Sequence, residues 1–488
     1  MKTKELKSNC FAMRIPLTTR LLALGIGILI GLASVASAQT IISGPTISGG
    51  TWSPSGNPFI ITGNSSVASG QTLTIQPGVI VWIGSNVTVT ANGALIQAVG
   101  TPSQRITIQA ASSSFYWNAI QIYNETGTNR FKYCDFANAQ TAISMGAYGN
   151  NWIMPVEIMN CTFSNCVGQA IYGEAQGTVV GPCCPDSTYS ATLNPVIKNC
   201  VFNATGSGCV LKIFGNTANG YNGYGYSYPT ILANIFQNLS GTAFLAEVGS
   251  YAGAGSPVFV NNTIVNCQKG FSAFDPWDAT VEDCVFVGCT NAVVDTGSLS
   301  RQVNFNDFYG NATNFNGYQG TYGQWIIPNR NGTIADVLYN IPQNPLFIAT
   351  NDFHLTNSSP CVNAGTPNTA YANMCFPPSI ATNFPDQGAY GGPDACNWLD
   401  TVPIAPAQLT LIKSNSFLWL NWGAIPRSTY QVQYIATNFN ATSGTNRWLT
   451  NTTLIPAAKP VSIAVSPYPT TNSNAFYRVK SLGRTPGN

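Results

Sequence analysis

A four-residue signature recurs seven times between residues 133 and 308, and its spacing constrains this chain more than any other feature. It reads Y-C-D-F from Tyr133, N-C-T-F from Asn160, N-C-V-F from Asn199, A-N-I-F from Ala233, N-N-T-I from Asn261, D-C-V-F from Asp283 and F-N-D-F from Phe305. The second positions form one column: Cys134, Cys161, Cys200, Asn234, Asn262, Cys284 and Asn306. The fourth positions are Phe136, Phe163, Phe202, Phe236, Ile264, Phe286 and Phe308. A third column, four residues after the first, reads Asn138, Asn165, Ala204, Asn238, Asn266, Gly288 and Gly310. The shortest interval is 22 residues, about enough for three strands of four or five residues and three turns. One repeat can therefore be one coil of a parallel β-helix, with equivalent residues ~4.8 Å apart along the axis. The first column should form a single axial stack in which Asn amides pass hydrogen bonds from coil to coil. Phe rings should fill the lumen, with Cys as a small apolar filler.

Flanking segments extend the pattern. Upstream stand Gly70-Gln71-Thr72-Leu73-Thr74-Ile75-Gln76-Pro77-Gly78-Val79-Ile80 and Val87-Thr88-Val89-Thr90-Ala91-Asn92-Gly93-Ala94-Leu95. Downstream are Asp352-Phe353-His354-Leu355, Ser359-Pro360-Cys361-Val362-Asn363-Ala364-Gly365 and Asp386-Gln387-Gly388-Ala389-Tyr390-Gly391-Gly392. Together with the columns, residues 50 to 395 resemble the right-handed parallel β-helix of the pectate-lyase-like class, as found in secreted bacterial proteins. The resemblance implies a fold and leaves activity open. Asn363 stands where family versions usually carry Asp, which argues against a bound cation there.

Only 8% of the 488 residues are charged, whereas 44% are hydrophobic, a balance that excludes a disordered chain, a coiled coil and a nucleic-acid binder. A single His, His354, removes imidazole-based triads and His-rich metal sites. Without a nearby paired carboxylate or Cys, it reads as a packed side chain in the closing segment. Lys2, Lys4, Lys7, Arg14 and Arg20 precede an apolar run from Leu21 to Leu32 and the small-residue stretch Ala36-Ser37-Ala38. This is the pattern of a signal peptide cut after Ala38, with an apolar run too short to span a bilayer. The expected organisation is a signal peptide at 1–38, a β-helix at 39–400 with its closing segment from about 318, and a third unit at 401–488. The expected location is secreted or cell surface, with no transmembrane segment in the mature chain.

Residues 39–400 hold 8 basic and 17 acidic residues, net −9, whereas 401–488 hold 7 basic residues and no acid. In the latter, Phe417–Trp422, Thr429–Tyr434 and Ala475–Lys480 alternate with period two, as strands of a small antiparallel β-sandwich do. Trp422, the Tyr430-x-Val432-x-Tyr434 strand and the Tyr477-x-Val479 strand resemble a fibronectin type III-like module. Its basic character suits envelope polyanions, or contact with the acidic solenoid.

Insertions fall repeatedly at one turn of successive coils, at 146–154, 173–194, 215–228 and 249–256. They are rich in Gly and aromatics, so Trp152, Tyr189, Tyr221, Tyr224, Tyr226, Tyr251 and Trp277 are candidate sugar-stacking rings on one flank. Alternatively, these rings pack on one another to order the loops. Glu174 and Glu247 should align with one coil between them, and Lys212 on that coil is a candidate base. Asp275, Asp278 and Asp295 share no column, and no Asp cluster suits Ca²⁺, so neither metal nor cofactor is expected. Ladder cysteines should be free thiols, with bridges sought at Cys183 or Cys184 and among Cys361, Cys375 and Cys396. Two function classes compete. The first is a non-catalytic polysaccharide-binding or adhesion protein whose partner is a polysaccharide or cell-surface glycan. The other is a polysaccharide lyase or glycoside hydrolase on the same flank, and a purely structural solenoid is the background case.

Overall fold

The computed structural model describes residues 39–125, 127–149, 151–179, 188–218, 221–249, 253–274, 278–295, 302–318 and 320–398, and six strands between Thr410 and Arg484. The leader expected at 1–38 lies outside the described residues, as do Cys183 and Cys184. No helix among the described residues is long and apolar enough to cross a membrane.

Three parallel sheets of 11 strands each wind into a right-handed β-helix from Thr40 to Asn316. The first sheet carries the signature strands, the second follows it in each coil, and the third leads back to the next signature. Register confirms the columns: Phe136 pairs with Phe163, Phe163 with Phe202, Phe202 with Phe236, Phe236 with Ile264, Ile264 with Phe286, and Phe286 with Phe308. The rings stack face to face, with centroids 4.9, 4.9 and 4.5 Å apart from Phe136 to Phe236 and 5.0 Å apart at Phe286–Phe308. Offset stacking at this spacing fills the lumen without voids.

Each coil turns two corners on a single left-handed residue. The first signature position has φ between +51° and +61°, from Tyr133 to Phe305 and again at Tyr339. The Asn138 column does the same at +52° to +65°. Asn and Gly tolerate this conformation, which explains their abundance at these corners.

The polar ladder departs from the expected filler role of cysteine. Asn234, Asn262 and Asn306 donate Nδ2–H to the backbone oxygens of Ile197, Ile231 and Val281 at 3.0, 2.9 and 2.9 Å. Cys161, Cys200 and Cys284 donate S–H to the equivalent oxygens of Phe131, Ile158 and Phe259 at 3.3, 3.5 and 3.4 Å. Cys and Asn alternate because both present a short donor to a carbonyl that water cannot reach. Asn also accepts: the N–H of Cys200, Asn234 and Cys284 reach Oδ1 of Asn234, Asn262 and Asn306, each at 2.9 Å. The ladder continues to an eighth member, Asn340, which is anchored on buried Asp336. The described ladder cysteines are free thiols, and burial pushes those of Cys209 and Cys284 well up and that of Cys166 to about 12. Cys375 and Cys396 form a disulfide, while Cys361 stays free and buried.

After the last coil the chain doubles back as a strap along one corner. It bonds in turn to Phe305 (Gln387 Nε2 to its oxygen, 2.7 Å), Asp283 (Thr366 N–H to Oδ1, 2.7 Å), Asn261 (Nδ2 to the Asp386 oxygen, 3.1 Å), Ala233 (Trp398 Nε1 to its oxygen, 3.1 Å), Asn199 (Nδ2 to the Asp394 oxygen, 2.9 Å) and Asn160 (Nδ2 to the Asn397 oxygen, 3.2 Å). Lys198 adds an ion pair to Asp394 at 3.2 Å. His354 does have a carboxylate partner: its Nδ1 bonds Asp352, two residues away on the same strand, and its ring stacks on Tyr390 with centroids 3.6 Å apart. These contacts hold the strap together.

The strap buries carboxyls. Burial pushes Asp307 up to about 8 and Asp283 well above the usual carboxylate range. A group whose folded value is raised stabilises the fold fully below its unfolded value, near 4, and loses that contribution as pH rises through the folded value. The melting temperature should therefore fall between about pH 4 and 8, at up to roughly 1.4 kcal/mol per pH unit for Asp307. Asp307→Asn, which keeps an oxygen for the Gln343 N–H, should flatten the profile in calorimetry.

The C-terminal strands form two three-stranded antiparallel sheets, Thr410–Ser414, Phe417–Trp422 and Val461–Val465 in one, and Ser428–Ile435, Leu449–Leu454 and Phe476–Arg484 in the other.

Candidate functional site

The described parts of the first three insertions largely lengthen strands of the second and third sheets or form short hairpins. Thr141–Tyr148, Gln169–Gln176, Ser207–Phe214 and Thr242–Val248 extend the second sheet, and Trp152–Met159 and Ala191–Lys198 extend the third. Their inner faces, among them Met145, Ala147, Met154, Ala175, Leu193, Leu211 and Ile213, are fully buried and continue the core. Gly177, Gly223 and Gly225 permit the approach of the hairpins beyond, since a Cβ on Gly225 would lie 2.0 Å from the Ala175 oxygen.

On the outer face of the second sheet, register sets Gly146 beside Glu174, Glu174 beside Lys212, and Lys212 beside Glu247. Each step is one rise of ~4.8 Å, so the two glutamates stand ~9.5 Å apart with the ammonium between them. Lys212 Nζ is ion-paired with Glu247 Oε2, and Tyr172 donates its hydroxyl to Glu174 Oε2 at 2.7 Å. The Lys212 and Glu247 side chains are about one-third exposed, at 36% and 33%, and Glu174 is half-buried, so all three meet solvent.

Three tyrosines complete the patch. Tyr123 precedes Gly146 in the column, and the absent side chain of Gly146 leaves room for the Tyr148 ring, whose atoms a Cβ there would meet at 2.4 Å. The Tyr123 and Tyr148 rings lie 5.6 Å apart, tilted by 52°. Burial, then the charge of Glu174, pushes the Tyr148 hydroxyl up; burial and the bond to Glu174 do the same for Tyr172. All three phenols therefore remain donors around neutral pH.

Among the described side chains, Trp152, Tyr189 and Tyr226 stand on strands other than those of this column, and Tyr224 lies between Tyr221–Gly223 and Gly225–Ser227. Trp152 alternates with buried Met154 and packs on the core from the third sheet. Tyr226 stands on the third sheet beside Thr192, which in turn pairs with exposed Ile153. Its ring lies 6.3 Å from that of Tyr224. Tyr189 sits on a short hairpin strand opposite Thr178, and Tyr221 begins the strand Tyr221–Gly223, its side chain outside the described set. Tyr251 and Trp277 lie outside the described residues. Tyr123 and Tyr172 were not singled out from the sequence, although Tyr172 is two residues before Glu174 and so on the same face. Among the described residues no group of three or more His, Cys, Asp or Glu is placed to hold a metal ion.

No family model matches the chain, and no curated protein matches it. Among solved structures it aligns with a pectate lyase, Pel9A, at 13% identity over 71% of this chain and 87% of that one, with a TM-score of 0.32.

Proposed function

We propose that this is an exported glycoside hydrolase acting on a polysaccharide laid along the outer face of the second sheet. The observation that carries the reading is the Glu174–Lys212–Glu247 column, three chemically active groups in one register with tyrosine rings beside them. The ~9.5 Å between the glutamates lies at the upper end of the ~6.5–9.5 Å used for inversion. Glu247, held by Lys212, takes a proton from water as the water oxygen bonds to the anomeric carbon. The glycosidic C–O bond breaks, and Glu174 delivers its proton to the leaving oxygen. Tyr123 and Tyr148 supply stacking faces for neighbouring sugars. Export agrees with the leader pattern and with the Cys375–Cys396 disulfide. The fibronectin type III-like reading of the basic C-terminal unit gives it an anchoring role on envelope polyanions.

A non-catalytic binding role is the second reading. It is favoured by both glutamates already having partners, which lets the patch act as a fixed hydrogen-bonding surface. Incubation with a panel of soluble polysaccharides separates the two. New reducing ends without ultraviolet-absorbing unsaturated ends are expected. Unsaturated ends would indicate a lyase, and retention without any product would leave the binding role.

A further inference from the structure

We infer that the polysaccharide taken by this face is uncharged rather than a polyuronate, an inference that rests on the reading above. With Glu174 as the proton-bearing acid the column has no net positive charge, because its one ammonium, Lys212, is already paired with Glu247. A uronate carboxylate laid beside it would meet the Glu247 charge within a few ångströms while the ammonium that could offset it is already taken. Elsewhere in the solenoid four basic side chains are likewise engaged: Arg105 with Asp135 at 2.7 Å, Arg130 with Glu157 at 2.9 Å, Lys132 with Glu157 at 3.6 Å, and Lys198 with Asp394 at 3.2 Å. Arg330 lies over the Phe384 ring, 4.7 Å from its centroid. Recognition of a polyanion relies on a stripe of available Lys and Arg, whereas residues 39–400 carry net −9. The groups that are available suit hydroxyls. Tyr123 and Tyr148 offer neutral rings with apolar faces, the Tyr172 hydroxyl donates to Glu174 and keeps its oxygen as an acceptor, and Ser144 and Gln176 share their strands on the outward side.

The test is affinity electrophoresis of the full chain in native gels containing arabinoxylan, galactomannan or mixed-linkage glucan, or else polygalacturonate or alginate. Gels are run at low salt with EDTA or with millimolar calcium. Retardation by at least one neutral polymer and by neither polyuronate is expected. Glu247→Gln releases the Lys212 ammonium and removes one repulsive charge, and should raise affinity for polygalacturonate about tenfold while circular dichroism stays unchanged. Retardation of the parent by a polyuronate, in either condition, overturns the inference and leaves the polysaccharide reading standing. No gain in the variant overturns the electrostatic basis. Retardation by no polymer at all overturns both the inference and the reading beneath it.

Discussion

Asn306→Leu is expected to lower unfolding free energy by about 3–5 kcal/mol, read as a shift in urea midpoint. Leu has the branching of Asn and is larger, so no cavity opens, and the loss is mainly one of hydrogen bonding with a smaller contribution from overpacking. The side chain accepts from Cys284 N–H at 2.9 Å and donates to the Val281 oxygen at 2.9 Å and to Asn340 Oδ1 at 3.1 Å. Each stranded partner is buried and costs about 1–3 kcal/mol. Cys200→Ala is the informative comparison. It removes only a weak thiol donor to Ile158, 3.5 Å away, and a small volume, so a loss of about 1–2 kcal/mol is expected. Equal losses in the two variants would show that the ladder acts through packing alone.

Glu247→Gln should reduce kcat on the cleaved polysaccharide by about 10²–10⁴-fold with KM changed little, the usual scale for removing a general base. Glu174→Gln should fall in the same range. Lys212→Met should cost less, since Lys212 acts through Glu247 as a positioning residue. Lys212→Arg, which keeps the ion pair, should recover most of the loss. Parallel losses of kcat in all four variants, with no recovery by Arg, would instead make Lys212 a proton carrier.

The solenoid was legible because corner geometry restricts residue choice. The left-handed corner of the Asn138 column favours Asn or Gly, and a dry carbonyl at fixed height favours Asn or Cys, so columns appear in the letters themselves. Asn340 escaped notice because the hairpin of Ile327–Pro328 and Ile334–Ala335 separates it from Asn306, and no Phe follows it. The glutamate column was readable from strand parity, and the same parity turns Trp152 inward. Treating the insertions as loops concealed this, since strand extension assigns alternate residues to opposite faces. The His354–Asp352 contact followed the same i, i+2 rule and was missed for want of a strand boundary.

A stack of repeats ordinarily unravels from its ends, each coil depending only on its neighbours. The strap changes this for six of the seven signature coils. Because Gln387 holds Phe305 while Asn397 and Trp398 hold Asn160 and Ala233, the final coils cannot peel away without also releasing the middle of the stack. Coils between Asn160 and Asn340 are thereby joined into one cooperative block whose last-made segment locks its first-made turns. Among the described residues the strap makes no such bond to the coils before Tyr133, so amide exchange is expected to begin in those coils.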